Sequence, residues 1–222
     1  GRFDPQDYLE FYGTGLDSPY SKSRVYWVQS GNQPGLRVEP FKADGAPSGA
    51  QSFTATVERR DRSIYFAALR NGDQENFFGA VIASHSVDQE LTLSHPGPAG
   101  SANAELEINL QGVTFGEQHR VNVYFNEMPL GEVRFNGQLP GSARYGVPHS
   151  LLREGANTVR LEPAGGQGDV SLVDTIRISY QHGFRADDDA LRLSARGGEQ
   201  ITIDGFTNKG IRVFDVTDAS SP

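Results

Sequence analysis

The stretch Ala104-Glu-Leu-Glu-Ile-Asn-Leu110, followed by His119-Arg-Val-Asn-Val-Tyr-Phe125, decides the fold class of this chain. In the first segment Leu106, Ile108 and Leu110 share one face, and Glu105, Glu107 and Asn109 share the other. In the second, Val121, Val123 and Phe125 alternate with polar neighbours in the same way. A period of two is the mark of a strand with one buried face and one wet face. The pattern continues through Leu130-Gly-Glu-Val-Arg-Phe135, Asn157-Thr-Val-Arg-Leu161 and Leu172-Val-Asp-Thr-Ile-Arg-Ile-Ser-Tyr180. In the last of these Ile176, Ile178 and Tyr180 oppose Arg177 and Ser179. Several such strands need a second apolar layer, so the expected fold is all-β, an antiparallel β-sandwich.

Working outward, turn chemistry separates the strands. Asn126-Glu-Met-Pro129, Asn136-Gly137 and Pro140-Gly141 supply residues that tolerate or preset turn geometry. Ser150-Leu-Leu-Arg-Glu-Gly155 reads as a single helical turn closed by glycine. Upstream, Gln51–Arg59, Phe77–Ala83 and Gln89–Ser94 read as strands, and Ser63–Leu69 as a short helix or a strand. About nine strand candidates between Gln51 and Tyr180 suit a jelly roll of the kind carbohydrate-binding modules use. Further candidates lie at the two ends, at Tyr8–Tyr12, Arg24–Gln29, Leu36–Glu39, Leu191–Ala195, Gln200–Asp204 and Ile211–Val216. Gly197-Gly198 reads as a hairpin turn between two of them. Neither end has enough strands to bury a core alone. The expected organisation is therefore a jelly-roll-like sandwich over residues 41–182, with a smaller companion β-sheet built from residues 1–40 and 183–222.

The net charge of −8 and the pI near 5.1 argue against a phosphate-binding surface for nucleic acid. The absence of cysteine excludes a disulfide framework, a thiolate metal site and a cysteine nucleophile. No apolar run approaches the ~18–20 residues that span a bilayer as a helix, so no membrane insertion is expected. Gly1-Arg-Phe-Asp4 and Asp218-Ala-Ser-Ser-Pro222 read as cut points in a longer protein, with no signal peptide between them.

A series of short motifs resembles, in order, the region preceding the catalytic domain of gingipain-like cysteine peptidases, which are secreted bacterial proteins. The motifs are Phe11-Tyr-Gly13, Tyr20 with Val25-Tyr-Trp-Val28, Glu75-Asn-Phe-Phe78 and Asn109-Leu-Gln-Gly112. They continue through His119 to Asn126 with Leu130-Gly131, Glu154-Gly-Ala-Asn157, Asp174-Thr-Ile176 with Tyr180, and Val213-Phe-Asp-Val-Thr-Asp218. The resemblance spans most of the chain, and each motif is structural. It implies a non-catalytic accessory region of a secreted or cell-surface protein, adjoining a peptidase domain that carries the catalytic Cys and His. This chain has no cysteine, so no catalytic residue carries over.

The residues themselves offer few catalytic patterns. No Gly-x-Ser-x-Gly elbow occurs, and the five histidines show no metal-ligand spacing. The acids, 28 in all, can always supply a pair for carboxylate-dependent hydrolysis, but no motif singles one out. Oxygen-rich loops suit calcium better. Asn71, Asp73 and Glu75 form one such group, and Asp187, Asp188 and Asp189 another, although neither matches an EF-hand. Tyr20 and Trp27 offer flat rings for a glycan, whereas Tyr26, adjacent to Trp27 on a strand, would point the other way. The expectation is thus a non-enzymatic accessory or interaction module whose partner is a neighbouring domain. Its alternative is a carbohydrate-binding module, with or without calcium, and a carboxylate-dependent hydrolase stands third.

Overall fold

A computed structural model of the chain describes residues 4, 6, 8–18, 20–21, 23–33, 37–38, 40, 45–47, 49–72 and 74–218. The chain divides into two compact units, Asp44–Asn208 and Gly1–Ala43 with Lys209–Pro222. The first unit contains β1 (Ala46–Pro47), β2 (Ser52–Arg59), β3 (Ile64–Tyr65), β4 (Phe77–Phe78), β5 (Val81–Ile82), β6 (Val87–Leu93) and β7 (Ala104–Gly112). It continues with β8 (Gln118–Phe125), β9 (Met128–Asn136), β10 (Pro140–Val147), β11 (Gly155–Pro163), β12 (Ser171–Gly183) and β13 (Glu199–Gln200).

Two antiparallel sheets face each other, as the alternation requires. One runs β10-β7-β12-β2, with β5 pairing the start of β12, and the other runs β6-β11-β8-β9. The architecture is all-β and jelly-roll-like. Leu106, Ile108 and Leu110 of β7, Ile176, Ile178 and Tyr180 of β12, Val121, Val123 and Phe125 of β8, and Val159 and Leu161 of β11 form one continuous core. Each such side chain contributes about 1.5–3 kcal/mol when fully withdrawn from water. The two inner faces therefore hold the sheets together.

A bulge at Asp174 shifts the register of β12 against β7, so that Val173 and Ile176, three residues apart, both reach the core. Leu172, facing the other way, joins Leu69 and Phe78 in a second small cluster. The β8–β9 hairpin turns through Asn126 and Glu127, both at positive φ (45° and 71°), the geometry of a type I′ turn. Asn126 donates to Leu151 O and to Asn157 Oδ1, and its own Oδ1 accepts the Thr158 N–H. Asn157, fully buried, donates to the carbonyls of Arg153 and Gly155 and accepts the Arg153 N–H. The two asparagines serve as fold determinants, satisfying loop groups that would otherwise be buried unpaired.

Several local expectations are corrected. The turn at His149–Leu151 is a short 3₁₀ segment, and Gly155, at φ 83°, opens β11 rather than capping a helix. Phe77–Ala83 splits into β4, which pairs β3, and β5, which pairs β12. Leu191–Ala195 forms no strand, and Gly197-Gly198 makes no hairpin: β13 pairs instead with β1, in parallel. In the second unit the described residues contain no β-strand, including Tyr8–Tyr12, Arg24–Gln29 and Ile211–Val216. Leu36 and Glu39 lie outside the described residues. Alternation alone makes no ladder, because each strand also needs a partner's N–H and C=O groups. The described local contacts of this unit are side-chain ones: Tyr26 donates to Thr14 O at 2.6 Å and packs on Phe11, and Arg212 bonds to Tyr8 and Glu10.

Candidate functional site

At one end of the sandwich, where β6 and β12 both terminate, a cavity of about 460 Å³ opens to solvent. Its first wall is the turn that follows β6. Gly97 N–H donates to Gln181 O at 2.6 Å, and Gly183 N–H donates to His95 O at 2.8 Å. These bonds hold His95 in the left-handed region, at φ 43°, where a residue with a Cβ is strained. His95 N–H donates to a Glu154 carboxylate oxygen at 2.8 Å. The imidazole is then flanked by acids: Nδ1 lies 3.7 Å from Glu154 and Nε2 3.4 Å from Asp187 Oδ1.

Behind His95 stands His182, edge-on to it with ring centroids 5.7 Å apart. Its Nδ1 contacts Gly183 O at 2.5 Å and its Nε2 lies 3.1 Å from Asp187 Oδ2. A carbonyl can only accept, so Nδ1 carries a hydrogen. Tyr180, its ring 6.0 Å from that of His182, donates to Ser94 O at 2.8 Å, and burial pushes its phenol up to about 12. The opposite wall comes from the chain leaving β12 and returning after β13. Ala186 N–H donates to Asp204 O and Asp204 N–H to Phe184 O, which brings Arg185 and Asp204 side by side at 4.0 Å. Phe184 lines the cavity and stacks against Phe53 at 5.5 Å. The result is an open recess lined by the polar side chains of Glu154, Arg185, Thr202 and Asp204 together with Phe184, Pro96 and Pro98.

The oxygen-rich loops have other uses. Glu75 is clamped by Arg60 and Arg62, and Asn71 donates to the Glu75 carbonyl at 3.4 Å. Asp73 lies outside the described residues. Asp188 and Asp189, at φ 49° and 64°, are the two corner residues of a tight turn closed by paired backbone bonds between Asp187 and Ala190. Asp189 accepts from the Thr207 hydroxyl and N–H and from the Asn208 N–H, and these bonds hold its carboxyl below the usual range. Among the described residues no group of three or more His, Asp or Glu side chains is arranged to hold a metal ion. Tyr20 and Trp27 belong to the other unit, where they are 89% and 90% exposed. The structure brings Asp187 against His95 and His182 at the recess, while Asn71, Glu75, Asp188 and Asp189 are not among its lining residues. His95, Glu154, Phe184, Arg185 and Asp204 escaped sequence reasoning because they converge from four distant segments. The cue within reach was His95-Pro96, a residue whose backbone the following proline restricts.

A second buried histidine has a structural role. His119 is fully buried, with Nδ1 2.5 Å from Asp169 Oδ1 and Nε2 2.8 Å from Gly137 O, and its ring stacks on Phe135. It ties the start of β8 to two loops. Gly112 and Gly165 make room for it: a Cβ would lie 1.9 Å from Gly137 O in the first case and 1.9 Å from Asp169 Oδ2 in the second.

No protein-family model matches the chain, and no curated protein matches it. Among solved structures it is similar to dimeric latent PorU from Porphyromonas gingivalis, with a TM-score of 0.56 and 11% identity. It is also similar to the CBM36-1 domain of a multidomain xylanase from the hindgut metagenome of Trinervitermes trinervoides, with 13% identity and a TM-score of 0.35 over 56% of this chain and 95% of that one. A carbohydrate-binding module CBM36 in complex with calcium and xylotriose follows, with 12% identity and a TM-score of 0.36 over 56% and 98%. The likeness to PorU is one of fold: it covers 79% of this chain, which spans only 16% of the length of that protein.

Proposed function

We propose that the chain is a non-catalytic accessory module of a larger secreted or cell-surface bacterial protein, docking against a neighbouring gingipain-like peptidase domain. The observation that carries this reading is the apolar surface of the terminal unit. Leu9, Phe11, Val25, Trp27, Val28, Ile211 and Val213 are all exposed there, on segments with strand-like patterning and no strand among the described residues, and Tyr20 is exposed as well. Apolar exposure on that scale marks a surface intended for a partner. The ordered resemblance to the region before gingipain-like catalytic domains, and a fold shared with a part of PorU, support the same reading.

The test compares hydrogen exchange of the chain alone with that of its parent protein. Amides of residues 8–12, 24–29 and 211–216 are expected to exchange fast in isolation and to be protected in the parent. Equally fast exchange in both would refute docking through this surface.

A further inference from the structure

The recess at the end of the sandwich belongs to the other unit, and its chemistry points to a ligand of its own. We infer that it binds a short neutral saccharide, with Glu154 and Asp204 accepting from ring hydroxyls and Arg185 and Thr202 donating to them.

Three alternatives fit the walls less well. An anionic ligand would meet the carboxylates of Glu154 and Asp204 in the lining, with Asp187 next to the lining His95. A simple cation would meet the Arg185 guanidinium, which lies 4.0 Å from Asp204, one of the two lining acids. An apolar ligand would find few apolar walls. A neutral ring of hydroxyls and C–H faces needs what is present, namely both donors and acceptors together with apolar side chains. Phe184, Pro96 and Pro98 supply the latter, and the ring of Phe184 is braced from behind by Phe53.

The recess is also preorganised. The strained His95 backbone is held from both sides, by Glu154 and by Gly183 N–H, and its ring lies between two carboxylates at 3.7 and 3.4 Å. Strain of this kind persists only where surrounding structure enforces it, and it concentrates at binding sites. A volume of about 460 Å³ lies within the range of small-molecule sites. Asp204 and Arg185 have side chains 72% and 57% exposed, so either can be truncated without unfolding the sandwich.

The experiment is an amide NMR titration of the full chain with neutral trisaccharides built from glucose, mannose, galactose or xylose. At least one is expected to bind with a Kd between about 10 μM and 1 mM, shifting residues 95–98, 154, 183–185 and 202–204. Asp204→Ala and Arg185→Ala are each expected to weaken it about tenfold or more, with unchanged thermal midpoints. The inference is overturned if no trisaccharide shifts these residues at ~10 mM, if a binder shifts only another face, or if both variants bind as well as the parent chain. Binding only of uronic acids or amino sugars would overturn it too. None of these outcomes touches the docking surface, so the accessory-module reading stands or falls separately.

Discussion

His119 and Tyr180 show how single polar groups are made tolerable inside this sandwich. His119 has no solvent exposure, and both ring nitrogens meet acceptors, Asp169 and the Gly137 carbonyl. Removing one partner of such a pair leaves the other buried without compensation. Asp169→Ala is therefore expected to cost about 3–5 kcal/mol in urea unfolding, while a value below ~1 kcal/mol would show that the pair is dispensable. Tyr180 gives a pH signature. Its phenol is pushed up to about 12, chiefly by burial, from an ordinary 10. The folded state thus holds this proton more tightly, so its contribution is complete below pH 10 and is lost as pH rises through 12. Tyr180→Phe should flatten the fall in stability between pH 10 and 12, measured by thermal melts against the parent chain. Identical pH profiles would remove that assignment. The alternation that places Tyr180 on the core face is visible in the sequence. Its bond to Ser94, 86 positions away, is not.

At the scale of elements, sequence and structure agree best where a segment makes its own pattern. β7, β8 and the second half of β12 bury the residues their alternation selects. The β8–β9 hairpin adds a local device: Glu127 occupies a left-handed corner at φ 71°, where a Cβ costs energy and glycine does not. Glu127→Gly should raise stability by about 0.5–1 kcal/mol in equilibrium denaturation, since Asn-Gly is the preferred pair for this turn. A loss instead would mean that the Glu127 side chain contributes more than the turn strain it imposes. The acidic run Asp187–Asp189 carries the same lesson. Its composition suggests an ion site, whereas two of its residues stand at positive φ in a tight turn, where short Asp side chains are tolerated. Agreement fails where pairing decides, as at the terminal segments and at Gly197-Gly198, because a strand exists only with a neighbour to bond.

Across the whole sandwich the core is one continuous layer between two sheets, so loss of a central side chain is felt by both. Ile178, flanked by Leu106 on β7 and Val57 on β2, is fully buried. Ile178→Ala is expected to cost about 2–4 kcal/mol, read from the denaturation midpoint, and a shift under ~0.5 kcal/mol would take this residue out of the core. The fold class, the inward faces of β7, β8, β11 and β12, and the acidic, cysteine-free character followed from the sequence alone, because period-two burial and composition are local properties. Tertiary structure alone decided the sheet order, the bulge at Asp174, the His119–Asp169 tie and the recess built from His95, Glu154, Phe184, Arg185 and Asp204. Each of these depends on which distant strand ends and turns come together, and that is set by packing of the two apolar faces and by hydrogen-bond partners far away in the chain.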